Sequence, residues 1–149
     1  MKFLTLYQPW ASLIACGAKQ IETRSWATSY RGWLGIHAAS GMSQEARMLC
    51  RREPFARILR GLRWRVPQGV VVAMCKVRDC VQTPLPVWPL HVCREDEEAF
   101  GDFRPRRYAW MLDSLIVLPK PVAGKGRQRI WSDEELAERV QLALGRRFP

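Results

Sequence analysis

Apolar, β-branched and aromatic residues cluster in five stretches of the chain, and each stretch has the composition of a strand. The longest, GVVVAMCKVRDCV from Gly69, starts with a continuous apolar run that indicates a central strand. In KQIETRSW, alternation places Glu22 and Arg24 on one face of the strand. Ile21 and Thr23 fall on the opposite face. The predicted strands cover residues 2–7, 19–26, 33–39, 69–81 and 106–119.

Helical signals separate these strands. Pro9 suits the first helical position and Gly17 the position after the last turn, so Trp10 to Cys16 is predicted as a short helix. Ser43 is a suitable N-cap for a longer helical segment, SQEARMLCRREPFARILRGL. Pro54 removes a backbone donor inside that segment, so a break is expected there.

Two further helices are predicted in the second half of the chain. REDEEAFG reads as a short helix that ends at Gly101. Ser132, followed three residues later by Glu135, has the spacing of a capping box and begins a C-terminal helix at about 132–145. Strands interspersed with short helices, and few regular βαβ units, indicate an α+β fold built on a small mixed β-barrel. The length of 149 residues predicts one domain, residues 1–149.

Cysteine and histidine usage argues against metal or disulfide chemistry. The chain has five cysteines and two histidines, without a CxxC pair or the paired spacing of a zinc site. We therefore expect no metal and no cofactor, and reduced thiols that mostly fill core space in a cytoplasmic protein. No apolar run reaches the roughly 18 to 20 residues of a membrane span, so no membrane association is expected.

The charge balance favours a polyanionic partner. Lys and Arg total 24 against 14 Asp and Glu, a formal net charge of +10. Seven arginines lie in residues 44–65, and a second basic stretch, 120–129, contains no acid. The acids concentrate instead in residues 94–98 and 132–138. This segregation indicates a basic face; the alternative is that the basic composition reflects a basic proteome or serves solubility.

The stretch QPWASLIACGAKQIETRSW brings aromatic and charged residues together near the N-terminus. Lys19 supplies a compact charge and Arg24 a planar fork for phosphate. Trp10 and Trp26 are suited to stacking on a splayed base, and Gln8 carries a donor and an acceptor for a base edge. The structural alternative is that the charges pair with each other and both indoles lie in the core.

The order of motifs resembles the ASCH family, named for homology to activating signal cointegrator 1, within the PUA-like superfamily. The resemblance rests on LTLYQPWASLIACGAKQIETRSW, YRGWLGIHAA, GVVVAMCKVRDC, EEAFGDFRPRRYAWMLD and PKPVAGKGRQRIW. It implies a PUA-like barrel with a cleft beside the first helix. The expected partner of this cleft is RNA or another single-stranded nucleic acid, with RNA favoured over DNA. Residues of this cleft and of the basic Gly-rich segment form the expected binding set: Gln8, Trp10, Lys19, Arg24, Ser25, Trp26, Lys125 and Arg127.

The resemblance also implies an enzymatic alternative. Some relatives deacetylate acetylcytidine with a lysine, a threonine and a glutamate. The motif lysine corresponds to Lys19, but the threonine position is occupied by Glu22, and Thr23 points to the opposite face. Lys19 and Glu22 are thus the candidate catalytic residues. The sequence does not choose the acid among Glu95, Glu97 and Glu98.

Ribonuclease activity is assigned to other relatives and needs a base, an acid and a cation on the phosphate. The candidates are Lys19, Glu22, Tyr30 and His37. The mid-strand position of His37 favours a satisfied core residue, and His91 is expected at the surface. Three classes stay open: a nucleic-acid-binding module, an enzyme on RNA or a modified nucleoside, and a protein-interaction module. The oligomeric state is left undetermined.

Overall fold

A computed structural model describes residues 1–62 and 66–148 of the chain. Arg63 and Arg65, which belong to the arginine-rich segment noted above, lie outside the described residues. Within the described ranges the strands are β1 (Lys2–Leu6), β2 (Ile21–Arg24), β3 (Gly32–Ala38), β4 (Val70–Gln82), β5 (Tyr108–Ala123) and β6 (Ile130–Ser132). The helices are α1 (Trp10–Ala15), α2 (Gln44–Leu49), α3 (Phe55–Leu59), α4 (Arg94–Phe100) and α5 (Glu134–Leu144).

The six strands form one sheet in the order β2-β5-β4-β3-β1-β6, curled into a half-barrel. β1 and β3 pair in parallel, because α1 and β2 are inserted between them, and the other pairs are antiparallel. The apolar run that begins β4 lies in the middle of the sheet and is almost fully buried, as its composition predicts. The predicted α+β fold with a PUA-like curled sheet is thus confirmed.

Hydrophobic residues pack on both faces of the sheet. One face carries α1, whose Ile14 packs in the same cluster as the buried Trp110 of β5. Leu13 of α1 is also buried, as predicted, but it packs with Phe55 and Phe100. The other face carries α5, which buries Leu136 and Val140 against the sheet. The curled sheet therefore places the loops at the ends of β1, β2 and β5 at the surface, where the candidate site lies.

The helix boundaries follow the sequence signals, with one shifted cap. Ser43 caps α2 by accepting a hydrogen bond from the amide of Ala46, as predicted. The predicted N-cap at Ser132 is wrong, because Ser132 pairs with Lys2 as the last residue of β6. Asp133 caps α5 instead, with its carboxylate accepting from the amide of Leu136. None of the helices in the described residues is long and apolar enough to cross a membrane.

The cysteines are free, but only Cys75 is buried. Burial raises the pKa of the Cys75 thiol to about 12. The expectation that the thiols mostly fill core space is wrong, because Cys16 and Cys93 are exposed. Both flank short helices, at the end of α1 and before the start of α4, where the chain turns at the surface.

Candidate nucleic-acid interface

A basic groove opens where the ends of β1, β2 and β5 meet. Its volume is about 710 Å³. It is lined by Thr5, Tyr7, Arg24, Trp26, His37, Ala39, Ser40 and residues 124–129. Four of these residues are cationic, namely Arg24, Lys125, Arg127 and Arg129, and none of the lining residues carries a carboxylate.

Indole rings hold two of the groove's guanidinium groups in place. The guanidinium of Arg129 lies 5.6 Å from the ring centroid of Trp26. Trp26 is half-buried and packs edge-on against Trp110, with ring centroids 4.7 Å apart. The guanidinium of Arg127 lies 5.9 Å from the ring of Trp131. The arginines are therefore supported from beneath by indoles, which leaves their outer faces toward the groove.

His37 forms part of the groove floor and is electrically neutral there. Its Nε2 lies 2.9 Å from the carbonyl oxygen of Gly124, so Nε2 carries the proton and donates. Burial lowers the pKa of His37, against a smaller opposing effect of that hydrogen bond. Its Nδ1 is buried without a hydrogen-bond partner in the described residues. His37 is thus a buried β3 histidine, as predicted, with one ring nitrogen unsatisfied.

Gly126 covers the histidine so closely that no side chain fits. A Cβ at position 126 would lie 2.8 Å from His37 Nδ1 and 2.9 Å from Thr5 Oγ1. The close approach of the loop at Gly126 fixes the neighbouring Lys125 and Arg127 at the groove edge. Gly126 therefore contributes to the groove by positioning the charged side chains of its two neighbours.

A second cavity, which we call the Glu22 hollow, adjoins the groove. Its volume is about 360 Å³. It is lined by Thr5, Leu6, Tyr7, Trp10, Glu22, Thr23, Arg24 and residues 99–102. Thr5, Tyr7 and Arg24 line both cavities and form the ridge between them.

The Glu22 carboxylate is held between two cations. Its Oε1 lies 3.0 Å from Nε of Arg24, and its Oε2 lies 3.5 Å from Nζ of Lys19. The Nε–H bond of Arg24 is not aligned with that oxygen, so the contact is an ion pair and not a directed hydrogen bond. Arg24 also donates from Nη2 to the carbonyl of Thr5. The pairing confirms that Glu22 and Arg24 share one face of β2.

Lys19 lines neither cavity, contrary to the expectation of an open position. Its side chain is 1% exposed, and Nζ donates to the carbonyl oxygens of Ile21 and Phe100. Nζ also lies 4.0 Å from a carboxylate oxygen of Glu97. The ammonium is directed at acceptors of β2 and α4, so its donors are used inside the protein.

Of the three α4 acids named as alternatives, Glu97 is the one whose carboxylate lies close to Lys19, inside the protein. It is 0% exposed, and its two oxygens accept hydrogen bonds from the amides of Gln20 and Ile21. Burial raises the pKa of Glu97, while the Lys19 ammonium and the two amides act in the opposite direction. Glu95 and Glu98 are exposed. Glu97 therefore connects α4 to the start of β2 from inside the protein.

The remaining members of the predicted set divide between the interior and the two cavities. Gln8 is buried; its Oε1 accepts from the amide of Ser12 and its Nε2 donates to the carbonyl of Pro67. The donor and the acceptor of this amide thus both form hydrogen bonds within the protein, near the start of α1. Trp10 is half-buried and lines the Glu22 hollow, whereas Ser25 is exposed outside both cavities.

The candidate enzymatic residues are not assembled in one place. Lys19 and Glu22 are in contact, but His37 lies in the basic groove and Tyr30 lines neither cavity. Tyr30 donates its hydroxyl to the carbonyl of Trp33, and burial raises its pKa. No group of three or more potential metal ligands occurs in the part of the chain that the structure describes.

Among the lining residues outside the predicted set, one aromatic residue and one cation are suited to binding a nucleotide. Tyr7 is 66% exposed on the ridge, and Arg129 projects over Trp26. Arg129 belongs to the basic stretch noted in the sequence, and its φ of 59° is a left-handed conformation that disfavours non-glycine residues. Tyr7 directly precedes the QPW element, but sequence alone gives no measure of its exposure.

The curled sheet with short helices defines a PUA-like α+β domain. The sequence model of the ASCH domain family matches residues 4–112, and the chain belongs to this family. The chain is 35% identical over 82 residues to mouse activating signal cointegrator 1, covering 52% of this chain and 14% of that protein. It is 34% identical over 84 residues to the human protein, with the same coverage of both chains. The crystal structure of ASCH from Zymomonas mobilis superposes with a TM-score of 0.55 at 14% identity, covering 96% and 94% of the two chains.

Proposed function

We propose that this ASCH domain binds single-stranded nucleic acid, with RNA preferred, along the basic groove. The observation that carries the proposal is the convergence of four cations around a groove whose lining has no carboxylate. Such a surface attracts phosphates, and their neutralisation releases condensed counterions. The ASCH family is generally associated with nucleic acids, and this supports the same assignment.

The pairing of the groove cations supports a backbone-binding role. Arg127 makes one long contact with a carboxylate, 3.5 Å to Asp133, at a partly exposed position where such a pair is weak. The arginines of α3 differ, because Arg57 forms two hydrogen bonds to Asp96 and Arg60 pairs with Glu53. Arg24 is already paired with Glu22, so the groove cations that remain available to a phosphate chain are Lys125, Arg127 and Arg129.

The aromatic residues favour a single strand over a duplex. Tyr7 is exposed on the ridge and is available for stacking, whereas the ring of Trp26 in the groove wall is covered by Arg129. Unstacked bases gain about 1–3 kcal/mol each from stacking on such side chains, which paired bases in a helix cannot reach. The alternation of phosphate-binding cations with aromatic rings is the arrangement that single-strand binders use.

Salt-dependent binding tests the proposal. Fluorescence anisotropy with labelled decamers of RNA, and of DNA of the same sequence, is measured between 50 and 200 mM salt, roughly the range over which such contacts weaken strongly. The triple variant Lys125→Gln, Arg127→Gln, Arg129→Gln removes three groove cations. We expect the slope of log K against log salt to become shallower by about 2, because each single-strand phosphate contact contributes about 0.7.

The matched control removes the same charge elsewhere. Arg47, Arg51 and Arg52 are exposed, line neither cavity and are replaced together by glutamine. We expect this variant to keep the wild-type slope of log K against log salt. Undetectable binding of both decamers at 50 mM salt contradicts the proposal, as does an equal loss of slope in the two triple variants. Tighter binding of the DNA decamer contradicts only the preference for RNA.

A further inference from the structure

We infer that the Glu22 hollow is a nucleobase pocket selective for guanine, which is read by the Glu22 carboxylate. The inference rests on the proposed function, because the nucleotide backbone would lie in the adjoining basic groove. The cavities share Thr5, Tyr7 and Arg24, so a phosphate on Arg24 places its base at the entrance of the hollow. A volume of about 360 Å³ is at the small end of ligand pockets, which suits one base and not a larger group.

The Glu22 carboxylate has free acceptor capacity in a fixed orientation. An ionised carboxylate offers about four lone-pair sites on its two oxygens. Each oxygen of Glu22 faces one cation, Arg24 on one side and Lys19 on the other. No directed hydrogen bond from the described residues ends on either oxygen. The Glu22 side chain is only 9% exposed, and Glu22 is one of the residues that line the hollow, so a base reaches the carboxylate from that side.

Guanine is the standard base that matches two neighbouring acceptors. Its Watson–Crick edge carries the N1–H and the N2 amino group side by side, so both oxygens of one carboxylate are satisfied. Adenine and cytosine each place a single amino donor next to a ring nitrogen that accepts. Uracil places its single N–H between two carbonyl oxygens. A carboxylate opposite any of these three bases faces at least one acceptor, which is repulsive.

The other acid of the hollow is already engaged. Asp102 accepts hydrogen bonds from Nε and Nη2 of Arg104 at 2.8 and 2.7 Å. The Arg104 guanidinium holds the pKa of the Asp102 carboxyl below its ordinary value. Tyr7 and Trp10 supply aromatic surface at the walls for stacking on the base. Among the described lining residues, Glu22 is thus the carboxylate that remains for a base edge.

Inosine provides a direct test, because its base is guanine without the N2 amino group. Labelled RNA pentamers UUGUU, UUIUU, UUAUU and UUUUU are compared by fluorescence anisotropy with the full chain at low salt. We expect UUGUU to bind about tenfold more tightly than UUIUU, since one hydrogen bond to a charged acceptor is lost. UUAUU and UUUUU are expected to bind no more tightly than UUIUU.

Substitution of the carboxylate locates the preference. Glu22→Gln replaces one acceptor with a donor, so we expect the difference between guanine and inosine to disappear while binding of UUUUU persists. Glu98→Gln, at an exposed position of α4, is the matched control and keeps the difference. The comparison of UUGUU with UUIUU uses the wild-type chain, so it tests the guanine preference even if Glu22→Gln does not fold.

The outcomes separate this inference from the proposed function. Salt-dependent binding with equal affinity for UUGUU and UUIUU overturns the guanine pocket and leaves the nucleic-acid groove intact. A guanine preference that survives in folded Glu22→Gln also overturns the pocket as assigned. Undetectable binding of every pentamer and of the decamers overturns both.

Discussion

His37 shows how a single buried side chain connects the groove to the stability of the fold. It is 1% exposed, its Nε2 proton is donated to Gly124, and its Nδ1 has no partner within the described residues. Charging this ring would place a cation in a buried position with no carboxylate among the groove residues to pair with it. Folding therefore favours the neutral form of His37, and the positive charge of the groove comes from the arginines and the lysine.

The lowered pKa of His37 predicts a loss of stability on acidification. The unfolded chain takes up a proton at this position below about pH 6.5, whereas the folded protein resists it. The contribution is therefore fully present above about pH 6.5 and is lost as the pH falls toward the folded pKa. The decline is at most about 1.4 kcal/mol per pH unit for one proton. Urea unfolding at pH 7.5, 6.5 and 5.5 measures it.

The other histidine of the chain, His91, supplies the control. The sequence contains two histidines, and His91 is exposed. We expect His37→Gln to flatten the dependence of the unfolding free energy on pH, and His91→Gln to retain it. An identical pH dependence in His37→Gln and the wild type would show that another group is responsible.

At the scale of elements, the junction between α4 and β2 is the most strongly connected part of the site. Glu97 accepts from two amides at the start of β2, and Lys19 donates to the carbonyl of Phe100 at the end of α4. Buried charges of this kind are stable only when each is paired and hydrogen-bonded. The junction thus fixes the strand that carries Glu22 and Arg24 between the two cavities.

Breaking this junction is expected to destabilise the fold. In Glu97→Gln the side-chain amide supplies one acceptor for two backbone donors, and it leaves the buried Lys19 with less compensating charge. We expect a loss of about 3 kcal/mol in the free energy of unfolding, measured by urea denaturation at pH 7.5. The matched change Glu98→Gln, at an exposed residue one position on, is expected to stay within about 0.5 kcal/mol. Equal midpoints for the two variants would contradict the assigned role.

Sequence patterns predicted the elements well, because their causes are local. Periodicity, caps and proline positions located the five helices seen in the described residues, and the predicted alternation of β2 agrees with the contact between Glu22 and Arg24. The three-residue strand β6 was missed, since its pairing with β1 is a long-range event, and this pairing also moved the α5 cap from Ser132 to Asp133.

The candidate site was predicted only in part, because its geometry also depends on long-range contacts. Lys19 was expected in the open, but its side chain turns inward to the carbonyl oxygens of Ile21 and of Phe100, the second of which lies 81 residues away. Arg24, Trp26, Lys125 and Arg127 were all expected to bind nucleic acid, and the fold brings these four into one groove. Residue type identified them as candidates, whereas only the curled sheet places the Gly-rich segment beside β2.

At the scale of the whole molecule, the part of the chain after residue 112 completes the core and carries half of the groove. The cluster on the α5 face of the sheet has eight buried members, Phe3, Val71, Met74, Leu118, Trp131, Leu136, Ala137 and Val140. The last five of these follow the segment that matches the ASCH domain model, residues 4–112. The matched segment alone would thus expose one face of the sheet and lack the groove residues 124–129.

We therefore expect a chain truncated to residues 1–112 to lack a cooperative unfolding transition, whereas residues 1–149 unfold cooperatively. The physical reason is that the sheet face left bare exposes Phe3, Val71 and Met74, which are all 0% exposed in the full chain. Urea denaturation followed by tryptophan fluorescence and near-ultraviolet circular dichroism measures both chains. A cooperative transition in the truncated chain, at a midpoint close to that of the full chain, would show that the matched segment is an independent domain.

Two leucines of α5 make the same test by point substitution, and they connect the core to the groove. Leu136 is 1% exposed, and its side chain lies where a Cβ on Gly124 would come within 2.8 Å. Leu142 is 83% exposed on the same helix. Leu136→Ala is expected to lower the free energy of unfolding by about 2–5 kcal/mol, since it leaves a cavity in the core, and Leu142→Ala by less than about 0.5 kcal/mol.

Because Leu136 supports the loop that begins at Gly124, we expect the RNA affinity of the folded Leu136→Ala protein to fall as well. Unchanged affinity in that variant would show that the loop holds its cations without support from α5.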